Sequence, residues 1–186
     1  MLFHETGLPD LIICEPKVFE DNRGYFFESY NQRNFFEAGL HYSWVQDNQS
    51  QSSYGVVRGL HFQHPPYAQT KLVRVLSGSI LDVVVDIRKG SPSYGKVFSI
   101  EISSENKLQL LVPKGFAHGF SVLSPKAEVL YKCDSLFNKA SEGSIIWNDP
   151  DLAIDWKIPS AEAIVSEKDN LHPQLKDALI NFIYGE

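Results

Sequence analysis

Histidine, tyrosine and lysine can hold or move protons near neutral pH when their surroundings are arranged for it. This chain places them in a few short segments. The first is Arg58-Gly59-Leu60-His61-Phe62-Gln63-His64-Pro65-Pro66. In a strand His61 and Gln63 point to one face. If that face lines the inside of a barrel, His61 stands in a pocket as a candidate base; a lone histidine can equally be structural or exposed. The second segment, Val129-Leu130-Tyr131-Lys132-Cys133, puts Tyr131 on the strand face of Ala127, Val129 and Cys133. Taken alone it reads as a packed core tyrosine. The third, Ser166-Glu167-Lys168-Asp169, reads by itself as solvated surface charge.

The elements that must position these residues are mostly strands. Two β-branched runs, 71–76 and 80–87, flank Ser77-Gly78-Ser79 and predict a hairpin. Residues 90–95, with Gly90, Pro92 and Gly95, form a loop. Residues 97–102 alternate with period two, so Phe98, Ile100 and Ile102 share a face. A turn at 103–106 leads into 108–112, and further strands are expected at 120–123 and 128–133. Helix is confined to 31–40, closed by Gly39, and to the C-terminus, where Leu175, Leu179 and Phe182 recur at helical spacing after Pro173. Short strands at even spacing predict an all-β sandwich or barrel. No linker interrupts them, so residues 1–186 are read as one domain.

Composition agrees. Of 186 residues, 43% are apolar and 22% charged, the range of ordinary globular chains. The 12 Phe, 8 Tyr and 3 Trp against a single Met, with Gly and Pro scattered throughout, suit strands and turns and argue against a helix bundle. A net charge of −6 disfavours non-specific nucleic-acid binding. No apolar run has the ~20 residues of a membrane span, and the start, Met1-Leu2-Phe3-His4-Glu5-Thr6-Gly7, has no signal-peptide pattern. Cys14 and Cys133 form neither a disulfide framework nor a zinc pair; two reduced thiols in a cytoplasmic protein are expected.

Pro113-Lys114-Gly115-Phe116-Ala117-His118-Gly119-Phe120 is similar to the second motif of cupin barrels, in many of which the histidine ligates a metal beside a His-x-His pair and a Glu. Here His61 and His64 fall on opposite faces of an ideal strand, and Gly59 and Gln63 flank His61. No three-ligand set converges, so a metal is not expected.

Together the segments resemble the dTDP-4-dehydrorhamnose 3,5-epimerase family over nearly the whole chain. The matching stretches are Phe19-Glu20-Asp21-Asn22-Arg23-Gly24-Tyr25-Phe26-Phe27-Glu28, Gln46-Asp47-Asn48-Gln49-Ser50, 58–63, Lys71-Leu72-Val73, 82–88, 113–120, Tyr131-Lys132-Cys133, Trp147-Asn148-Asp149-Pro150 and 166–169. Nine such motifs in the family's order are far more specific than any one alone. The resemblance implies a cupin-type jelly roll with an N-terminal strand extension and short C-terminal helices. It also implies a cofactor-independent isomerase that inverts C3 and C5 of a 4-keto-6-deoxyhexose carried on dTDP, in dTDP-L-rhamnose synthesis. By the family's pattern His61 is the base, Tyr131 the proton donor, Asp169 the partner of His61, and Lys71 the cation near the C4 oxygen. Arg23, Phe26, Glu28, Gln46, Asp47, Asn48, Arg58, His118, Phe137, Glu142 and Lys168 match positions around the nucleotide and sugar. Leu136-Phe137 stands where the family usually has an aromatic followed by Tyr; Phe137 keeps the π-face that stacks on thymine and lacks the hydroxyl. A homodimer whose N-terminal strands cross to the partner is implied as well. The alternatives are an epimerase acting at C3 or C5 alone and a nucleotide-sugar-binding cupin without catalysis. A metal-dependent cupin oxygenase is disfavoured by the missing ligand triad.

Overall fold

The computed structural model describes residues 1–185, and in it the alternating middle of the chain forms two facing sheets. One runs in the order β1 (Leu2–Glu5), β2 (Ile12–Glu15), β10 (Gln109–Val112), β7 (Lys71–Ser77), β12 (Lys126–Cys133), β5 (Gln46–Ser53). The other runs β13 (Glu142–Ser144), β6 (Val57–Gln63), β11 (Phe116–Val122), β8 (Ser79–Asp86), β9 (Val97–Ser103). A separate hairpin pairs β3 (Phe19–Asp21) with β4 (Gly24–Phe26). All these ladders are antiparallel. The result is the all-β, cupin-like architecture expected from the sequence.

Strand alternation decides which side chains face the space between the sheets. Val73 and Val75 of β7 and Ala127 and Val129 of β12 meet Ile80 and Val84 of β8 and Phe116 and Phe120 of β11 there. Fully burying one such side chain contributes roughly 1.5–3 kcal/mol. The inward set of β12 continues to Tyr131 and Cys133, so the tyrosine inherits an inward place from the valine two residues before it. Behind the five-stranded sheet, Leu60, Phe62, Val83 and Val85 pack on Trp156, Ile180 and Phe182 of the C-terminal segment. Behind the six-stranded sheet, Leu72 and Leu111 lie with Phe35 of α1 (Gln32–Glu37). Asn31 caps that helix by accepting from the backbone N–H groups of Arg33 and Asn34, and Gly39 follows it, much as the sequence predicts.

Two expectations are corrected. The predicted hairpin at Gly78 does not form: β7 pairs with β10 and β12, while β8 pairs with β9 and β11 in the other sheet. Gly78 (φ +77°) instead turns the chain from one sheet to the other, packed so close to the Lys126 carbonyl that no Cβ would fit. β8 is buried on both faces, and such a strand carries no mark of which neighbour it will pair with. The C-terminal α-helix is also absent among the described residues; only short 3₁₀ turns occur, at Ser160–Glu162, Asp169–Leu171 and Leu175–Asp177. Beyond them Ile180 and Phe182 are buried while Leu179 is 77% exposed, which is extended alternation. Lys89 fixes this strip by donating its N–H to the Phe182 carbonyl and accepting from the N–H of Tyr184. Covering the apolar back of the sheet outweighs the helical spacing of Leu175, Leu179 and Phe182.

Candidate active site

His61 and Arg58 are three residues apart on β6, which in a regular strand would put them on opposite faces. A bulge brings them together. His61 pairs with His118 and Arg58 with Phe120, so three steps along β6 match two along β11. Gly59 makes this possible: its φ is +130°, and an added Cβ would lie 2.5 Å from the Cα of Gly119. Arg58 then donates Nε–H to Ser52 on β5, 3.0 Å away, and lines one cleft with His61, Lys168 and Asp169.

His118, the cross-strand neighbour of His61, is buried and hydrogen-bonded through Nε2 to Asp82 of β8. The other carboxylate oxygen of Asp82 is buried without a hydrogen-bond partner among the described residues. Lys71, at the start of β7, lies within the field of that carboxylate. Burial lowers the lysine from its ordinary value, opposed by Cys133 and Asp82. Its Nζ is 5.8 Å from the centroid of the Tyr131 ring. Burial raises the Tyr131 phenol, Cys133 adds to the rise, and the Arg58 charge opposes it. Tyr131 therefore keeps its proton at neutral pH. Cys133 is pushed up to about 11 chiefly by burial, so it is a thiol here.

Asp169 reaches this cleft from the opposite end of the chain. Its Oδ1 is 2.7 Å from His61 Nε2 and 3.1 Å from His172 Nε2, and it is buried while the His61 side chain is 42% exposed. Burial by itself would raise the Asp169 carboxyl; hydrogen bonds and charge from His61, then His172, outweigh it and hold it at about 2. With Nε2 of His61 engaged by the carboxylate, Nδ1 is the nitrogen left to accept a proton. The donor atoms of His61, Asp169 and His172 lie within 4.8 Å of one another. The expectation that no triad of cation-binding groups converges on His61 is thus corrected: His172 joins it, three residues after Asp169. The three are already linked through N–H donors to one oxygen.

The remaining predicted residues divide into those near this cleft and those apart from it. Gln46 and Asn48 share the inward face of β5, where Gln46 donates to Asn48 Oδ1 and accepts from the N–H of Phe137. Gln63 completes the hold on that loop, donating to the carbonyls of Tyr67 and Leu136 and accepting from the N–H of Asn138. Phe137 stands half-exposed on this clamped loop. Glu142 and Lys168 pair at 2.9 Å. Asp47 points outward and pairs with Lys132 on the outer face. Arg23, Phe26 and Glu28 are exposed on and after the β3–β4 hairpin, apart from the residues that line the His61 cleft; Arg23 pairs with Asp21 and Glu28 accepts from Asn31.

Two residues of the site were not singled out from the sequence. Asp82 shares its strand face with apolar Ile80 and Val84, and a carboxylate at such a place is the signal that could have found it. His172 sits just past the Ser166–Asp169 motif, at the (i, i+3) spacing that lets one turn bring two side chains together.

Chemically the arrangement offers an imidazole nitrogen not engaged by Asp169, a protonated phenol on the opposing sheet, and a lysine beside that phenol. That set can remove a proton from one side of a bound molecule, stabilise the resulting oxyanion and return a proton from the other side.

The sequence model described as dTDP-4-dehydrorhamnose 3,5-epimerase matches residues 5–177. The protein of that name from Pseudomonas aeruginosa is 52% identical over 173 residues, 92% of this chain and 94% of the relative. The crystal structure of dTDP-4-dehydrorhamnose 3,5-epimerase from Elizabethkingia anophelis superposes with a TM-score of 0.91 at 56% identity, covering 95% of this chain and 97% of that one. The dTDP-6-deoxy-D-glucose-3,5-epimerase of Legionella pneumophila, solved in complex with dTDP-4-keto-L-rhamnose, gives 0.90 at 45% identity, with coverage of 95% and 93%. Over fold, length and site-bearing segments alike, this chain belongs to the dTDP-4-dehydrorhamnose 3,5-epimerase family.

Proposed function

We propose that this chain converts dTDP-4-dehydro-6-deoxy-D-glucose to dTDP-4-dehydro-L-rhamnose, inverting C3 and C5 in turn, as the epimerisation step of dTDP-L-rhamnose synthesis. The observation that carries this reading is the placement of His61 and Tyr131 on facing sheets, bridged by Arg58, which lines the cleft of the first and whose charge reaches the second. Both carbons flank the C4 ketone. Nδ1 of His61 takes the C–H proton, the C–H electron pair moves into the ring, and the C4 oxygen gains the negative charge. Lys71 stabilises that oxygen, a contribution often worth ~10²–10³ in rate, while Asp82 holds the His118 ring in place beside His61. Tyr131 delivers its phenolic proton to the opposite face of the carbon, and exchange with solvent then restores both groups. Asp169 holds the tautomer of His61 and stabilises the imidazolium formed during the step.

Arg58 and Lys168 supply the local positive charge that lets an acidic protein hold a diphosphate. Phe137 offers a π-face for thymine, with Gln46 and Asn48 on the strand beside it and Glu142 beside Lys168. Arg23, Phe26 and Glu28 belong to this site through a partner subunit in a homodimer: the β3–β4 hairpin leaves Phe19, Tyr25 and Phe26 more than half exposed on its own protomer. Asp47 is held on the outer face by Lys132, away from this cleft.

The experiment is turnover and dTDP binding in His61→Asn and Tyr131→Phe. Each should lower kcat by about 10²–10⁴, the contribution of one positioned acid or base, with dTDP affinity within about threefold of the parent. A His61→Asn enzyme retaining a tenth of its activity would overturn the assignment.

A further inference from the structure

We infer that His172 is a positioning residue for the base, acting through Asp169. Its Nε2–H donates to the same Oδ1 that accepts from His61, so one carboxylate oxygen is gripped by two imidazoles. The two rings meet edge to face, 86° between planes and 5.8 Å between centroids. Asp169 sits in a short 3₁₀ turn, where its own N–H donates to Ser166 Oγ; among the described residues its side chain accepts only from the two histidines. Without a second donor a carboxylate can rotate about its last torsion and still satisfy a single hydrogen bond. With His172 in place Oδ1 is fixed between β6 and the turn, and the orientation of the His61 ring is fixed with it.

His172 suits this role as a neutral donor. Its side chain is only 10% exposed, and burial lowers its proton affinity against the opposing pull of Asp169. The charged groups acting on it are Asp169 and Lys168 of its own segment and His61 of β6; Lys168 is drawn off toward Glu142 of β13. Pro173, the next residue, accepts from the N–H of Ile146 just after β13, which anchors the turn to the sheet carrying His61. Placing His172 in the set makes the unit His61–Asp169–His172 rather than a pair.

The inference rests on the reading of His61 and Asp169 as the base and its partner, and the test separates the two. His172→Leu fills a similar volume without a donor; His172→Gln keeps an N–H at a similar reach. Expected are a kcat about 10-fold lower in the leucine variant, the effect of one hydrogen bond to a charged group, with KM within twofold, and recovery to within about threefold of the parent in the glutamine variant. In the parent, proton–nitrogen NMR of labelled imidazoles should show a proton on Nε2 of His172, displaced downfield by its hydrogen bond and shifted back in Asp169→Asn. Parental kcat in the leucine variant, equal impairment in both variants, or an unprotonated Nε2 in the parent would each overturn the inference. The NMR result decides it alone if the leucine variant does not fold. It is independent of turnover, so full activity in His61→Asn would remove the base reading while leaving the His172–Asp169 contact standing.

Discussion

Nε2 of His61 and Oδ1 of Asp169 lie 2.7 Å apart although 108 residues separate them in the chain. The contact couples folding to chemistry, because the carboxylate that orients the imidazole is also held at about 2, against an ordinary value of 3.8. The folded state therefore binds the ionised form more tightly than the unfolded chain does. That stabilisation is fully present above pH ~4 and fades as pH falls toward the folded value, with a size on the order of 2 kcal/mol. Urea unfolding of the parent and of Asp169→Asn should show a stability gap that narrows between pH 5 and pH 2.5. A gap that stays constant over that range would mean the carboxylate gains nothing from its two histidines.

Phe137 is predicted to be a platform rather than a core residue, because it is half-exposed on a loop whose backbone is held by Gln46 and Gln63. Phe137→Ala should weaken dTDP binding by about 1–3 kcal/mol, the range for losing an aromatic surface under a base. Phe137→Tyr should change it little. Calorimetry gives both values, and parental affinity in the alanine variant would place the thymine elsewhere.

The alkaline limb of activity should belong to Lys71 and not to Tyr131. Burial drives the two in opposite directions: Lys71 is lowered from its ordinary value and gives up its charge early, while Tyr131 is raised and keeps its proton longer. In Lys71→Arg, whose guanidinium stays charged, the fall in kcat at high pH should move upward even if the rate is reduced overall. An alkaline limb unmoved by this substitution would assign the loss to another group.

Alternation made much of this legible. Residues 97–102, with Phe98, Ile100 and Ile102 on one face, identify a strand without further help, and the same period places Tyr131 inward beside Val129. Pairing was not legible where both faces are buried, which is why β7 and β8 read as a hairpin and turned out to lie in separate sheets. Local irregularity hid the side of Arg58: only the bulge at Gly59 places it with His61, and no period encodes a bulge. The union of Asp169 and His172 with His61 depends on a contact between β6 and a turn far along the chain, for which spacing offers no guide. Family resemblance supplied Asp169, covered Asp82 without giving it a role, and did not reach His172. It also grouped Asp47 with the nucleotide residues, whereas strand parity turns its side chain outward to Lys132.

Solvent isotope reports on whether one base and one opposed acid invert both carbons beside the ketone. With Tyr131 as the proton donor, whose hydroxyl exchanges with water, each inverted carbon is expected to carry a solvent hydrogen. With dTDP-4-dehydro-6-deoxy-D-glucose in D₂O, product trapped by a 4-keto reductase should be dTDP-L-rhamnose bearing deuterium at both C3 and C5. Deuterium confined to one of the two carbons, or none at either while dTDP still binds, would contradict the account.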